Sequence, residues 1–223
     1  MKIFLRAVQY YIDMLFGSFM HRVIWRNRHL LKKNWATDYL DTLNDPHREQ
    51  LANLVLSDDV DSVCEFGCGS GANLFHLKQS NPRLRALGLD LNREAIRTAR
   101  AFALSQGLTQ LEFAVADINN LGDKFFPDGY DVVLIDAVLM FVAPSEIMGV
   151  IQRAKSIAKK KIVLHEYHCE GAFGGRFDGG RWMYDYSAIV SSIDADATVS
   201  LYPACLTGGL WDSHGAVIEI GLS

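Results

Sequence analysis

Three glycines at alternate positions, Gly67, Gly69 and Gly71, close the apolar run Val63-Cys64-Glu65-Phe66, and a helical pattern opens directly after them at Ala72. Glycine tolerates positive φ and lets a ligand approach main chain, so a strand turning this tightly into a helix is a place for a ligand to touch backbone. The spacing narrows the ligand. The third glycine comes one residue early for the dinucleotide pattern G-x-G-x-x-G, and no Gly-Lys-Ser/Thr follows for a triphosphate. Three acids then stand at the ends of later apolar runs. Asp90 lies 19 positions beyond Gly71, close to the interval at which a carboxylate accepts hydrogen bonds from ribose hydroxyls. Asp117 suits an adenine amino group, with Ile118 packing on the ring. Asp136 would stand beside the reacting end of such a ligand. Each acid also suits a plain loop or cap role. His165-Glu166-Tyr167-His168 follows the fifth apolar run. A histidine there titrates near neutral pH, so His165 leads as a general base, with Asp136 and His168 as rivals.

These residues need strands to carry them. Val63–Phe66, Leu84–Leu89, Leu111–Ala116, Asp131–Ile135 and Ile162–His165 read as strands one to five. Helices between them bury Leu74 and Leu77, then Ile96, Ala99, Phe102 and Ala103, then Ile147, Ile151, Ala154 and Ile157. The alternation predicts an α/β fold, a Rossmann-like, doubly wound, mostly parallel seven-stranded sheet. Met183–Ser192 reads as a helix. Thr198–Tyr202 and Ala216–Ile220 would close the sheet as a C-terminal antiparallel hairpin, turning at Gly208-Gly209. Upstream, Phe4, Val8, Tyr11, Leu15 and Phe19 keep helical spacing, and a second helix spans about 21–35. Asp45-Pro46 opens another helix, with Asp45 as N-cap and Leu51, Leu54 and Val55 inward. Residues 1–44 are therefore expected as an N-terminal helical extension or lid and 45–223 as the ligand-binding domain.

Glu65-Phe66-Gly67-Cys68-Gly69-Ser70-Gly71, followed by Asp90, Asp117 and Asp136 at successive strand ends, resembles the class I S-adenosylmethionine (SAM) dependent methyltransferases over about residues 48–223. The resemblance implies SAM as cofactor, with contacts from Glu65, Gly67, Cys68, Gly69, Gly71, Asp90, Leu91, Asp117, Ile118 and Asp136. It also implies the antiparallel strand pair at the sheet edge. Gly71-Ala72-Asn73-Leu74, Asp90-Leu91-Asn92 and Glu166-Tyr167 are similar to methylases of bacterial surface-sugar pathways. Met140-Phe141 stands where a His or aromatic pair is often found. No Asn/Asp-Pro-Pro-Tyr/Phe motif is present, which disfavours methylation of DNA bases, and no metal cluster is expected. The glycine-rich stretch 171–186 reads as a loop over the acceptor, with Arg181 clamping a carboxylate or phosphate and Trp182 and Tyr184 stacking on a ring or sugar, beside Met140. The expected activity is methyl transfer to oxygen or nitrogen of a small molecule or glycan. The alternatives are a non-catalytic SAM-binding domain that recruits a partner or membrane through its basic helices, and another SAM-fold transferase.

The totals set the outer limits. The chain's 223 residues and 49% hydrophobic content suit one globular domain with an extension. Four cysteines without a C-x-x-C pair read as reduced thiols, and hence a cytoplasmic location. Seven basic residues against one acid give residues 1–33 a net charge of +6, leaving −10 on the rest of a chain whose total is −4. An acidic body argues against general nucleic-acid binding. The basic arm, with Phe4, Tyr11, Phe16, Phe19 and Trp25, suits an anionic or lipid-linked partner at a membrane surface, or packing on the sheet or a second subunit of a homodimer.

Overall fold

The computed structural model describes residues 2–122, 126 and 128–222, with side chains from residue 6 onward, so the Phe4 side chain lies outside the described residues. Helices α1 (Lys2–Phe16), α2 (Phe19–Arg26), α3 (Arg28–Leu31), α4 (Trp35–Leu40) and α5 (Pro46–Val55) precede the sheet. There follow β1 (Ser62–Phe66), α6 (Ala72–Ser80), β2 (Arg85–Asp90), α7 (Arg93–Ser105), β3 (Leu111–Val115), β4 (Tyr130–Asp136), α8 (Pro144–Ile157) and β5 (Ala158–Tyr167). A hairpin β6 (Arg176–Asp178) and β7 (Arg181–Met183) leads to α9 (Tyr186–Ile193), β8 (Thr198–Pro203), α10 (Trp211–His214) and β9 (Gly215–Gly221).

The seven-stranded sheet runs β3-β2-β1-β4-β5-β9-β8. Strands β1 to β5 pair in parallel, and β9 pairs antiparallel with both β5 and β8. The last two strands are thus an antiparallel pair, but the turn of helix α10 stands between them in place of a tight hairpin. Two apolar layers cover the sheet. One joins Leu51, Val55, Leu74, Leu77, Ile96 and Ala99 to the strands, and the other joins Ile147, Ile151, Ala154, Ile157, Ile189 and Val190. Leu54 and Phe102 pack only partly buried against the first layer. Because order reverses between β1 and β4, a crevice opens at their carboxyl ends, where ligands bind in such sheets.

Three elements depart from the pattern read in the sequence. The helix expected over 21–35 is broken at Asn27 and again at 32–34. The stretch expected as a loop holds β6 and β7, because Gly179 (φ 57) and Gly180 (φ 83) make the two-residue turn that favours a hairpin. The helix expected from Met183 starts at Tyr186, where the Asp185 side chain caps Ala188 N–H at 3.0 Å. The apolar stripe of α1 points outward. Leu15 is 74% exposed and Phe16 67%, while Asp13 is fully buried. Asp13 faces inward because its Oδ2 accepts from His21 Nε2 at 3.0 Å and Trp182 Nε1 at 2.9 Å. Among the described residues, no helix is long and apolar enough to cross a membrane.

Candidate active site

The glycine turn is built around one carboxylate. Gly67 and Cys68 N–H both donate to Leu89 O, at 2.7 and 3.0 Å, which ties the turn to β2. Gly69 N–H donates to Asp90 Oδ2 at 2.8 Å, and Asn92 N–H donates to Oδ1 at 2.7 Å. Each Asp90 oxygen keeps lone-pair capacity, and Asp90 lines the cavity. Gly67 has φ +73, and a Cβ on it would meet Val138 Cγ2 at 2.4 Å, so no side chain fits there. Leu91 lines the cavity with Gly67, Gly69 and Asp90. Cys68 and Gly71 do not. The Cys68 thiol packs behind the turn within the core, and Gly71 caps the start of α6.

Asp136, at the end of β4, is the centre of the second group. His165 Nδ1–H donates to its Oδ1 at 2.7 Å, and Asn73 Nδ2 donates to its Oδ2 at 2.9 Å. Arg48 Nη1 and His47 Nε2 each stand 3.8 Å from Oδ2. His165 and its neighbours hold the Asp136 carboxyl down at about 2 against the effect of burial. The same Asn73 nitrogen donates to Glu65 Oε1 at 2.7 Å, leaving Glu65 Oε2 buried without a partner. Burial pushes Glu65 up to about 8. One amide therefore bridges an ionised Asp136 and a protonated Glu65, two carboxyls set apart by their surroundings. Glu65 lies behind the cavity wall. Ala137, next to Asp136, is held at φ 55, a strained conformation costing ~1–3 kcal/mol, as found at functional sites. Glu166 fixes the following turn by accepting Val138 and Leu139 N–H at 2.6 Å and Met140 N–H at 3.1 Å.

At the end of β3, Asp117, Ile118 and Asn119 line the cavity, and Asn119 Oδ1 has no partner. The opposite wall comes from the N-terminal helices, through Ser18, His21, Arg22, Trp25, Trp35 and Tyr39, and from His47 and Arg48 of α5. Together they enclose about 420 Å³. Arg48 is buried over the Tyr39 ring and donates through Nε to Thr42 O at 2.7 Å, through Nη2 to Thr42 Oγ1 at 2.5 Å and through Nη1 to Asn73 Oδ1 at 2.6 Å. These bonds, with Asp136 3.8 Å from Nη1, fix the guanidinium at the cavity wall. Burial lowers His47 to about 4, so its imidazole is neutral at pH 7.

The structure divides the other sequence candidates. Met140 and Arg181 line the cavity. His165 does not. It is buried, with its ring stacked between His47 and Trp211 at centroid distances of 5.5 and 4.5 Å. His168 stands away from the cavity, where its Nδ1 accepts Tyr186 N–H at 3.4 Å. Trp182 is held by Asp13, and Tyr184 O–H donates to Val142 O at 2.5 Å. Both rings are buried in the core and neither reaches the cavity. Sequence reasoning missed His47, Arg48, Tyr39, Trp35 and Trp211. A signal was present in the His-Arg pair directly after Asp45-Pro46.

A family model for a methyltransferase domain matches residues 57–184, over half of the chain. The chain belongs to the class I SAM-dependent methyltransferase family. Its seven-stranded sheet and glycine turn are those of this methyltransferase fold. A 2-heptyl-1-hydroxyquinolin-4(1H)-one methyltransferase of Mycobacteroides abscessus is 35% identical over 85 residues, which is 38% of this chain and 35% of that enzyme. The chain thus matches about a third of that relative's length. The SAH-bound magnesium protoporphyrin IX methyltransferase of Synechocystis PCC 6803 superimposes with a TM-score of 0.65 at 18% identity, over 92% of this chain and 99% of that one. The plantazolicin methyltransferase BpumL with SAH gives 0.60 at 14%, over 85% and 89%. These two share the methyltransferase fold.

Proposed function

We propose that this protein moves a methyl group from SAM to an oxygen or nitrogen of a small molecule. The observation that carries the proposal is Asp90, pinned by the glycine turn and lining the cavity. Asp90 would accept from the ribose hydroxyls. Asn119 Oδ1 offers an acceptor for the adenine amino group, with Ile118 against the ring and Asp117 beside it. The Arg48 guanidinium, which lines the cavity, suits the cofactor's carboxylate. SAM, when bound, supplies an activated methyl on sulfur, transferred by in-line displacement. The protein's part is to position and desolvate the acceptor. His47 is the side chain placed to take the acceptor's proton, since it is neutral, faces the cavity and has Asp136 nearby to stabilise its charged form. His165 acts as a positioning residue that orients Asp136.

Calorimetry with SAM, S-adenosylhomocysteine (SAH) and NAD tests the cofactor reading. SAM and SAH should bind, and Asp90→Ala should weaken both by about 1.5–3 kcal/mol, the range for hydrogen bonds to a charged group. Binding of NAD but of neither sulfur compound overturns it.

We also propose that the outer face of α1–α3 meets an anionic membrane surface. Leu15, Phe16, Phe19, Leu30 and Leu31 of these helices are exposed, as are Arg26 and, just after α3, Lys33, residue types suited to lipid headgroups.

A further inference from the structure

Asp90, Asp117 and Asp136 line the cavity at the strand ends, with Arg22 3.8 Å from Asp117 and Arg48 3.8 Å from Asp136, and Arg181 of β7 lines it as well. Arg181 Nη1 donates to Gly180 O at 2.9 Å, and the guanidinium lies over the Phe141 ring at 4.4 Å. No carboxylate among the described residues pairs with it. Burial lowers its pKa, and the nearby Arg28 lowers it further. Arg28 has no acid partner among the described residues either: it lies over Trp25 at 5.2 Å, and its Nε is buried without a hydrogen bond. A partly buried guanidinium without a counter-ion costs free energy until an anion reaches it.

Part of the cavity wall is aromatic. Tyr167 and Trp211 both line the cavity, with ring centroids 4.6 Å apart. Trp211 stacks on His165, and His165 stacks on His47 beside Asp136. A ladder of rings therefore runs from the Arg181 side to the groups placed at the reacting end. Of the three arginines lining the cavity, Arg22 pairs with Glu146 and Asp117 and Arg48 stands 3.8 Å from Asp136, so Arg181 beside the aromatic wall is the one suited to a flat, apolar ring carrying an anionic group.

We infer that the acceptor is a planar aromatic compound bearing an acidic group, with its carboxylate held by Arg181, its ring against Phe141 and Trp211, and its nucleophilic oxygen or nitrogen directed toward His47. This rests on the methyl-transfer reading. In the transfer, the carbon–sulfur bond breaks and a carbon–oxygen or carbon–nitrogen bond forms. Sulfur keeps the electron pair of the broken bond, and the acceptor's proton passes to His47 and then to water. An acidic acceptor also complements the positive sulfonium of the cofactor.

The test is calorimetry on the full chain, with and without saturating SAH. The ligands are hydroxybenzoates, aminobenzoates and hydroxyquinoline carboxylates, their uncharged amides, and glucuronate as a non-aromatic acid. At least one aromatic acid should bind, and its amide should bind at least about tenfold more weakly, as expected for losing a charge-assisted pair. Arg181→Gln should bring the acid down to the level of its amide while leaving SAH affinity unchanged, and Arg181→Lys should recover part of the loss. Equal binding of acid and amide, acid binding unaffected by Arg181→Gln, preference for glucuronate, or binding of none of the aromatic acids overturns the inference. Loss of SAH binding in the unaltered protein would sink the cofactor reading instead.

Discussion

At the scale of single residues, the site is a set of titrations pulled apart by burial and hydrogen bonds. His47 is lowered from 6.5 to about 4. As pH falls through 6.5 the unfolded chain takes a proton there and the folded chain does not, so stability is lost between 6.5 and about 4. Glu65 works in the opposite direction over part of that range. Raised from 4.5 to about 8, it costs stability as pH rises between those values. The His47 contribution is therefore read as a difference. The gap in urea stability between wild type and His47→Gln should shrink as pH drops from 6.5 to 4, and a constant gap would rule this out. Below pH 4 Asp136 takes over. Lowered from 3.8 to about 2, it should cost about 2 kcal/mol as pH falls through that interval, since one unit is worth ~1.4 kcal/mol.

At the scale of elements, the N-terminal helices are fastened across the crevice by α8. Glu146 accepts Ser18 N–H at 2.9 Å and Arg22 Nη1 at 2.7 Å, while Ala143 N–H donates to Ser18 Oγ at 2.7 Å. Glu146→Ala should cost about 1–3 kcal/mol, the value of stranding partly buried donors. Hydrogen exchange should then speed over residues 17–31 and stay unchanged in β1. Uniform exchange across both would show that the clamp is not what holds these helices. This fastening also explains what the sequence could and could not yield. Gly67, Asp90, Asp117 and Asp136 were legible because each sits at a strand end, and a strand end is written in adjacent residues. The places of Trp182 and Tyr39 were not. Trp182 is turned into the core by Asp13, 169 positions away, and Tyr39 reaches the glycine turn only through the packing of α4. The direction in which the stripe of α1 points was not legible for the same reason. Its period gave a face, and a distant tryptophan decided which face turned inward.

At the scale of the molecule, charge is divided as the fold is. Residues 1–33 carry +6 and the remainder −10. Two copies meeting through the basic faces of α1–α3 would bring like charge together, whereas an anionic lipid surface would not. Phosphatidylserine-containing vesicles should therefore carry the protein upward in flotation at low salt and release it at high salt. Leu30→Ser with Leu31→Ser should reduce flotation, and flotation equal to that with neutral vesicles would defeat the idea. Sheet order has a consequence of another kind. Strand β9 follows β8 in the chain but lies between it and β5. Strand β8 cannot join the sheet until β9 is in place, so during synthesis both β8 and the β5 edge wait with bare amides. That interval is the one in which a growing chain is open to mispairing with its neighbours.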